Sequence, residues 1–487
     1  MTTTQDPAPP QAPERPGASA VAITMVVIVG SFMTILDTTI LGVALDGLSR
    51  HFHAPLATIQ WTATGYMLAL AAVIPLTAWA AGRFGSKQLY IVSVALFTAG
   101  SALAGCAWST ETLILFRVLQ GLGGGMVVPL GMAIVINAAA PEHKGRMMGL
   151  LGIPVLVGPL VGPVLGGWLV DAASWRWIFL INVPIGVLTV VLALVVFPRD
   201  TVRAARPLDV VGLLTLSPGL AALIYGLATG GESGEFGSAE VLVPTLAGAA
   251  LVVAFVVRAL TAPAPLLDLR LLRVRAFAAG IGTMALFAGA YFGALMLVPM
   301  YYQLVRGESA TMSGLLGVPQ VIATGTTLQI ASRLTDRIPA GRIVPVGVTL
   351  AVLGYGTFTA QLGPDTPYWR LIVSLTVAGA GVGMTMMPTV TGATRGFAPP
   401  QVPAASTLIN INSQVAGSVG TALLSVLLTT AAAAHGGLAA AQGLSDAARA
   451  ELAPSLADAF QHTYVWVVAL MAASMIPALC QPRKKYA

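Results

Sequence analysis

Long apolar runs alternate with short polar breaks along almost the whole chain. A hydrocarbon core about 30 Å thick needs roughly 20 apolar residues per helix, and dividing the runs on that basis predicts fourteen membrane-spanning helices. The predicted spans are residues 20–45, 58–81, 88–107, 111–137, 145–170, 175–197, 209–229, 240–260, 276–303, 310–332, 340–360, 367–394, 402–433 and 460–480. The pattern therefore predicts an all-α membrane protein.

The spans fall into two blocks of six. The basic turn RFGSKQ (83–88) follows the second span, and RLTDRIPAGR (333–342) follows the tenth, at the corresponding point of the second block. We predict six-helix bundles at 20–200 and 266–487, the second ending in a short basic tail. The segment 201–265 would hold two additional helices, and the Pro-rich segment 1–19 would be a disordered cytoplasmic tail. Such repeats favour a transporter with its site between the halves near the membrane midplane.

Composition agrees with a membrane protein. Hydrophobic residues make up 56% of the 487 and charged residues only 9%, whereas a soluble domain carries about 25% charged residues. The two cysteines, Cys106 and Cys480, lie in separate segments, and all five histidines fall in loops or at span ends. We therefore expect no metal site, no cofactor and no membrane enzyme.

The basic residues predict an orientation. Nineteen of the 25 Lys and Arg residues fall in tails and loops on the side that holds the N-terminus, five fall in loops on the other side, and Arg117 lies within a span. The positive-inside rule then places both termini in the cytoplasm and the chain in the cell inner (cytoplasmic) membrane. This placement explains the net charge of +6, so we expect no nucleic-acid partner.

Only two ionisable side chains lie well inside the apolar runs, Asp37 in the first span and Arg117 in the fourth. A carboxylate near the middle of a membrane helix costs roughly 2.5–3.5 kcal/mol on insertion scales, so a lone acid there indicates a function or a buried partner. At a rise of about 1.5 Å per residue, both charges lie at similar depth in the outer half of the membrane. We expect Asp37 to take up and release a proton from a water-accessible path. The structural alternative is a permanent ion pair with Arg117 that braces two helices.

The fourth span, RVLQGLGGGMVVPLGM (117–132), places Arg117, Gln120, Gly121 and Gly124 on one helical face. Glycine on that face lets another backbone approach closely. Arg117 stays protonated, so it can tune a nearby acid or bond neighbouring backbone, and the sequence supports both interpretations equally.

The fifth span combines glycine and proline at regular spacing. Glycines at four-residue spacing would form a packing groove, while prolines remove backbone donors and bend a helix. Both a packing stripe and a gating bend are consistent with this pattern. The residues concerned are Gly158, Pro159, Gly162, Pro163 and Gly166.

Hydroxyl, aromatic and amide side chains in the spans are candidates for a substrate cavity, because an apolar cavity with such groups suits lipophilic or weakly cationic compounds. Core packing is the alternative for each aromatic. The candidates are Thr34, Tyr66, Phe287, Tyr291, Gln320, Asn410 and Gln414.

Several segments resemble the major facilitator superfamily, and within it the fourteen-span drug/proton antiporter branch. They include LDTTILGVAL (36–45), RVLQGLGGGMVVP (117–129), GPLVGPVLGG (158–167), SWRWIFLINVPIG (174–186) and LVPMYYQLVRG (297–307). The resemblance implies two rocking bundles, outward transport from the Gly-Pro motif, Asp37 as the coupling acid and Arg117 as the basic residue associated with proton transfer.

The chain departs from the family in one inner loop. An Asp normally precedes the basic residue there, but this chain has Gly82, followed by Arg83, Gly85 and Lys87. The second half keeps a version of the motif in Asp336 and Arg337. The second-half spans show no further acid, so we do not expect a preference for strongly dicationic substrates.

The sequence therefore predicts a proton-coupled antiporter that exports lipophilic small molecules, cationic ones included, such as drugs or antibiotics. Its partners would be protons, the substrate and membrane lipid, and it would act as a monomer. One alternative is an exporter dedicated to a single natural product or envelope lipid. Another, of a different class, is a non-transporting membrane receptor or scaffold.

Overall fold

The computed structural model describes residues 20–140, 142–199, 207–233, 237–433 and 446–483, and within these ranges the regular structure is helical. The predicted tail at 1–19 lies outside the described residues. The N-terminal half contains α1 (Ala20–Ile40), α2 (Leu45–Phe52), α3 (Leu56–Val73), α4 (Thr77–Phe84), α5 (Ser86–Gly105), α6 (Thr110–Ala138), α7 (Lys144–Leu151), α8 (Ile153–Ala172), α9 (Trp177–Leu180) and α10 (Asn182–Val196).

Two long helices follow, α11 (Val210–Ser233) and α12 (Ala239–Thr261). The C-terminal half contains α13 (Arg275–Leu304), α14 (Ala310–Thr335), α15 (Ala340–Ala360), α16 (Tyr368–Thr394), α17 (Val402–Ala433), α18 (Asp446–Ala473) and α19 (Met475–Leu479). The last long helix begins at Asp446, well before the predicted start near residue 460, because the polar stretch ahead of the final span continues the same helix.

Twelve helical stretches of the described chain are long and apolar enough to cross a membrane. The predicted count of fourteen is not confirmed. Helices α8 and α14 occupy the positions of the other two predicted spans, but they are not among the twelve. The predicted fifth span is divided at Gly152, where α7 ends and α8 begins.

Small residues let the helices of the N-terminal half pack backbone to backbone. A Cβ on Gly100 would lie 2.7 Å from the backbone nitrogen of Gln120, and one on Gly121 would lie 2.5 Å from the carbonyl oxygen of Tyr66. Larger side chains at these positions would force α6 away from α5 and α3. The start of α6 is fixed by a capping box, in which Ser109 and Thr112 exchange side-chain and backbone hydrogen bonds.

The two halves join at one end of the molecule. We call this end the basic side, because it carries the basic loops that follow α4 and α14 and precede α7. One hydrophobic cluster there combines residues of both halves, whereas a second cluster lies within the C-terminal half and a third lies at the opposite end of the N-terminal half. The shared cluster includes Met132, Met147, Met148 and Leu151 with Phe277, Met284, Val390, Ala393 and Ile409. In this conformation the halves are therefore closed at the basic side.

The pair α11 and α12 lies against the boundary between the halves. Helix α11 packs on both α3 and α17, and the rings of Trp61 and Tyr225 stack with their centroids 5.7 Å apart. Asp209 fastens the base of the pair, since its carboxylate accepts hydrogen bonds from Arg258 at 3.1 Å and from the backbone nitrogen of Leu266 at 3.3 Å. The division of the chain into separate units at the predicted domain boundaries stays a prediction.

Candidate functional site

Asp37 and Arg117 form a buried ion pair. Nη1 of Arg117 on α6 lies 2.6 Å from Oδ2 of Asp37 on α1, and each residue is only 1% exposed. Both side chains point into the bundle, because the two helices pack against each other. The similar depth that the sequence assigned to these two residues is consistent with this contact.

Two amide side chains complete the contacts of the carboxylate. Nε2 of Gln120 and Nδ2 of Asn182 each donate to Oδ1 of Asp37 at 2.9 Å. The same Nδ2 lies 3.1 Å from Oγ of Ser101, which in turn donates to the carbonyl oxygen of Phe179. Every contact with the carboxyl oxygens therefore comes from an N–H group, an arrangement that suits an ionised carboxylate.

Arg117 is held on several sides. Besides its bond to Asp37, Nη1 donates to Oε1 of Gln120 at 2.8 Å, and Nε donates to the carbonyl oxygen of Thr62 at 3.1 Å. The guanidinium carbon lies 4.1 Å from the ring centroid of Tyr66, which adds a cation–π contact. Arg117 therefore makes both kinds of contact that the sequence allowed: it pairs with the acid and it donates to neighbouring backbone.

The cluster belongs to one half of the molecule and is closed to solvent in this conformation. Its members lie on α1, α3, α5, α6 and α10, all of the N-terminal half. A rigid rotation of one half against the other would leave these bonds intact. Proton exchange at Asp37 therefore needs water to enter the cluster in another state or by local opening.

The predicted glycine stripes lie at helix contacts. A Cβ on Gly124 would lie 3.0 Å from the hydroxyl of Tyr66, and Cβ atoms on Gly158 and Gly162 would strike Ile35 and Thr39 of α1. The hydroxyl of Thr39 donates to the carbonyl oxygen of Gly158 at 3.3 Å. Helix α8 runs without interruption through positions 159, 163 and 166. These contacts fit the packing interpretation, and the gating role stays a prediction.

Asp336 links the two halves at the basic side. Its carboxylate accepts hydrogen bonds from the backbone nitrogens of Gly145 at 2.7 Å and Arg146 at 3.1 Å, at the N-terminus of α7, where the helix dipole favours a negative charge. Nη2 of Arg395 lies 3.7 Å away. Burial raises the pKa of Asp336, while the backbone donors and Arg395 act in the opposite direction. Arg337, the other residue of the predicted motif, is exposed.

The corresponding loop of the N-terminal half makes different contacts. Gly85 adopts a φ of +90°, which favours glycine. Arg83 is exposed. Nζ of Lys87 donates to the carbonyl oxygens of Leu194 at 2.8 Å and Phe197 at 2.6 Å, which satisfies the C-terminus of α10.

A cavity of about 390 Å³ lies beside Gly82, and a Cβ there would meet no atom within 4 Å. Both halves and the connections to α11 and α12 contribute to its wall. The lining includes Trp79, Asn137, Arg199, Asp268, Pro399 and Pro403.

The predicted substrate residues are not gathered around this cavity. Phe287 is fully buried in the core of the C-terminal half, and Nε2 of Gln320 donates to the hydroxyl of Tyr355 at 3.0 Å. Nδ2 of Asn410 donates to the carbonyl oxygen of Ser406 on its own helix. Thr34, Tyr66, Tyr291 and Gln414 are scattered as well: Thr34 and Tyr66 are buried, Tyr291 is half-buried and Gln414 is exposed. Their role in a substrate cavity stays a prediction.

Sequence reasoning missed Asn182 and Ser101. Asn182 lies in the quoted segment SWRWIFLINVPIG and is a single amide in an otherwise apolar stretch, which was the available signal. A single amide in a span does not by itself distinguish a bond to an acid on another helix from a bond to its own backbone.

Comparison with known proteins gives a consistent result. The sequence profile described as Major Facilitator Superfamily matches residues 27–421. A protein of Mycobacterium tuberculosis (strain ATCC 25618 / H37Rv) named "Multidrug resistance protein B homolog" is 39% identical over 97% of this chain and 92% of its own length. The "Multidrug export protein EmrB" of Escherichia coli (strain K12) is 33% identical over 86% of this chain and 82% of its own length.

Among solved structures, the human organic anion transporter MFSD10 (TETRAN) superposes with a TM-score of 0.62. The two chains are 13% identical, and the match covers 96% of this chain and 100% of that one. At this identity the similarity establishes the fold alone.

Proposed function

The chain belongs to the Major Facilitator Superfamily, and on that premise we propose that it is a proton-coupled antiporter that exports lipophilic small molecules, cationic ones included, by alternating access. The single observation that carries the proposal is the buried Asp37–Arg117 pair at 2.6 Å. Two relatives aligned over most of the chain are named for multidrug resistance and multidrug export, which supports drugs as substrates.

The proposed arrangement is an inner-membrane protein with fourteen spans, both termini in the cytoplasm, and a monomeric working unit. Helices α8 and α14 supply the two spans beyond the twelve, because each is long enough to cross a hydrocarbon core. With the basic loops in the cytoplasm, closure at the basic side corresponds to a state closed to the cytoplasm.

In the proposed cycle, a proton that arrives from outside neutralises Asp37 and weakens its hold on a cationic or polarised substrate. The protonated protein then opens to the cytoplasm, where the proton leaves and the ionised carboxylate admits the next substrate. Because the ion pair lies within one half, water entry at the cluster, rather than separation of Asp37 from Arg117 by the rocking motion, exposes the acid.

The test is efflux from everted membrane vesicles under an imposed pH gradient, with a panel of lipophilic cations and neutral drugs. The native chain is compared with Asp37→Asn, and Asp365→Asn serves as the matched control because Asp365 is exposed in a loop away from the basic side. We expect Asp37→Asn to abolish gradient-driven efflux and Asp365→Asn to retain it.

The antiport mechanism would be contradicted if Asp37→Asn transported at the native rate. It would also be contradicted if transport by the native chain did not depend on the pH gradient. Absence of transport for every compound of the panel would instead favour an exporter dedicated to a single natural product or envelope lipid.

A further inference from the structure

The side-chain amide of Asn182 donates a hydrogen bond to Asp37, while its own acceptor atom has no partner. Its Nδ2 bonds Asp37 at 2.9 Å and Ser101 at 3.1 Å, whereas its Oδ1 is buried without a hydrogen-bond partner. An unsatisfied buried acceptor is destabilising by about 1–3 kcal/mol, and such atoms in native structures often mark a group that has a second state.

Protonation of Asp37 changes the hydrogen-bond partners that its carboxyl group needs. The neutral carboxyl carries an O–H donor and needs an acceptor, but Arg117, Gln120 and Asn182 all present N–H groups to it. Arg117 has no acceptor atom, and Oε1 of Gln120 already accepts from Arg117 at 2.8 Å. Oδ1 of Asn182 is a free acceptor on a side chain that already touches the carboxyl.

Half a turn of the Asn182 amide exchanges its Nδ2 and Oδ1 positions. After the turn, Oδ1 would face Asp37 and accept from its O–H group. Ser101 donates its single hydroxyl proton to the carbonyl oxygen of Phe179 at 2.9 Å, so after the turn it either keeps that bond and releases the amide or moves its proton to Oδ1. The turn therefore costs one hydrogen bond at Ser101 and supplies the acceptor that protonated Asp37 needs.

We propose that Asn182 is the positioning residue that allows this cluster to hold Asp37 in both protonation states, by presenting its donor to the carboxylate and its acceptor to the protonated carboxyl. The proposal rests on the antiport function and specifies how its proton site is regulated.

Among the described elements packed around α1, the charged or titratable groups that face Asp37 are Arg117 and Tyr66. The hydroxyl of Tyr66 is also buried, with Thr38 as the polar side chain beside it, and this makes it the rival acceptor. Tyr66 contacts the cluster through its ring, which lies against Arg117, and Gly124 lies beside its hydroxyl. Asn182, in contrast, bonds Asp37 directly.

The experiment is infrared difference spectroscopy of the purified full-length protein in liposomes, titrated with acid, which needs no substrate. The carbonyl band of protonated Asp37 is assigned by its loss in Asp37→Asn. In Asn182→Leu, we expect the carbonyl band to move to higher frequency, because the O–H group of protonated Asp37 loses its acceptor.

Asn182→Ser should restore part of this shift, since a hydroxyl can also accept. Tyr66→Phe should leave the band frequency unchanged. A native band frequency in Asn182→Leu would overturn the proposal, as would a frequency shift in Tyr66→Phe alone or the absence of any Asp37 band at acid pH. If Asp37→Asn abolishes efflux while Asn182→Leu keeps the native band frequency, the antiport function stands and only the role of Asn182 fails.

Discussion

The two aspartates that matter most in this structure are bound in opposite ways. Asp37 is held by side chains of its own half, at the centre of a buried cluster. Asp336 is held by the backbone of the other half, at the N-terminus of α7. If the halves rotate as rigid bodies, the bonds of Asp336 must break in every cycle and those of Asp37 need not.

The contrast separates two tasks that a transporter has to combine. Contacts between the halves set the relative stability of the closed and open states, so we expect substitution of Asp336 to act on conformation. Contacts within one half set the environment of a charge, so we expect substitution of Asp37 to act on proton binding. Coupling then requires a route between the two, and the shared hydrophobic cluster at the basic side connects α1, which carries Asp37, with α7, whose N-terminus binds Asp336.

The largest effect is expected from Arg117→Met. Removal of one partner of a buried ion pair leaves an uncompensated charge and typically destabilises a protein by about 3–5 kcal/mol. We expect a clear fall in the thermal unfolding temperature of the purified protein and loss of efflux. In the double variant with Asp37→Asn, most of the thermal stability should return, whereas efflux should not.

Arg370→Met is the matched control, because Arg370 is exposed and its guanidinium lies over the ring of Trp369, 5.4 Å from the ring centroid, rather than beside a carboxylate. Equal unfolding temperatures for Arg117→Met and the native protein would show that the Asp37–Arg117 pair contributes little to stability. The contacts of Asp37 would then not be stronger than those of Asp336.

An intermediate effect is expected from Asp336→Ala. Its two hydrogen bonds to the backbone of α7 are charge-assisted but only partly buried, so we assign them about 1–2 kcal/mol together, roughly a tenfold shift from the closed towards the open state at the basic side. Asp365→Ala, a change of the same kind in an exposed loop, should leave the equilibrium unchanged.

The measurement is a distance distribution between spin labels at Glu142 and Arg342, both exposed at the basic side in different halves. The background carries Cys106→Ser and Cys480→Ser, which remove the two exposed free cysteines. Asp37→Asn in the same background should shift the distribution less than Asp336→Ala, and the reverse order would contradict the division of tasks.

The smallest effect is expected from Gly82→Asp, which restores the family's acid in the first inner loop. The cavity beside Gly82 has room for the side chain. The chain segment across the cavity, however, contains Pro399, Pro400 and Pro403, and proline has no N–H group to donate. We therefore expect a shift of less than about twofold in the same spin-label measurement, because these prolines offer no backbone donors comparable to those that Gly145 and Arg146 present to Asp336. A tenfold shift towards the closed state would show that the two loops are equivalent after all.

Much of this arrangement was accessible from the sequence. Residue spacing along each helix gives the depth of a side chain, so Asp37 and Arg117 could be placed at the same level. Spacing does not give the direction in which a helix faces its neighbours. The contact of Asn182 with Asp37 therefore could not be predicted, since it depends on how α10 packs beside α1.

Polar residues in the spans were harder to interpret for a different reason. An amide in a membrane helix needs a hydrogen-bond partner, and the nearest partner is often its own backbone. Asn410 bonds Ser406 one turn earlier, so its presence does not indicate which way a cavity lies. The break at Gly152 was missed because the apolar run continues through it, while the close approach of Leu328 that fits a glycine there is a tertiary contact.

The position of α11 and α12 has a consequence for compounds dissolved in the bilayer. On that flank, lipid acyl chains would meet the apolar outer face of α12, where Val243, Leu246 and Val253 are exposed, before they could reach the seam between α3 and α17. A lipophilic molecule diffusing within the membrane cannot slip between the halves there unless it displaces the pair. The helices α11 and α12 thus cover the boundary between the halves on one side of the protein. A compound that passes between the protein and the bilayer has to do so elsewhere around its circumference.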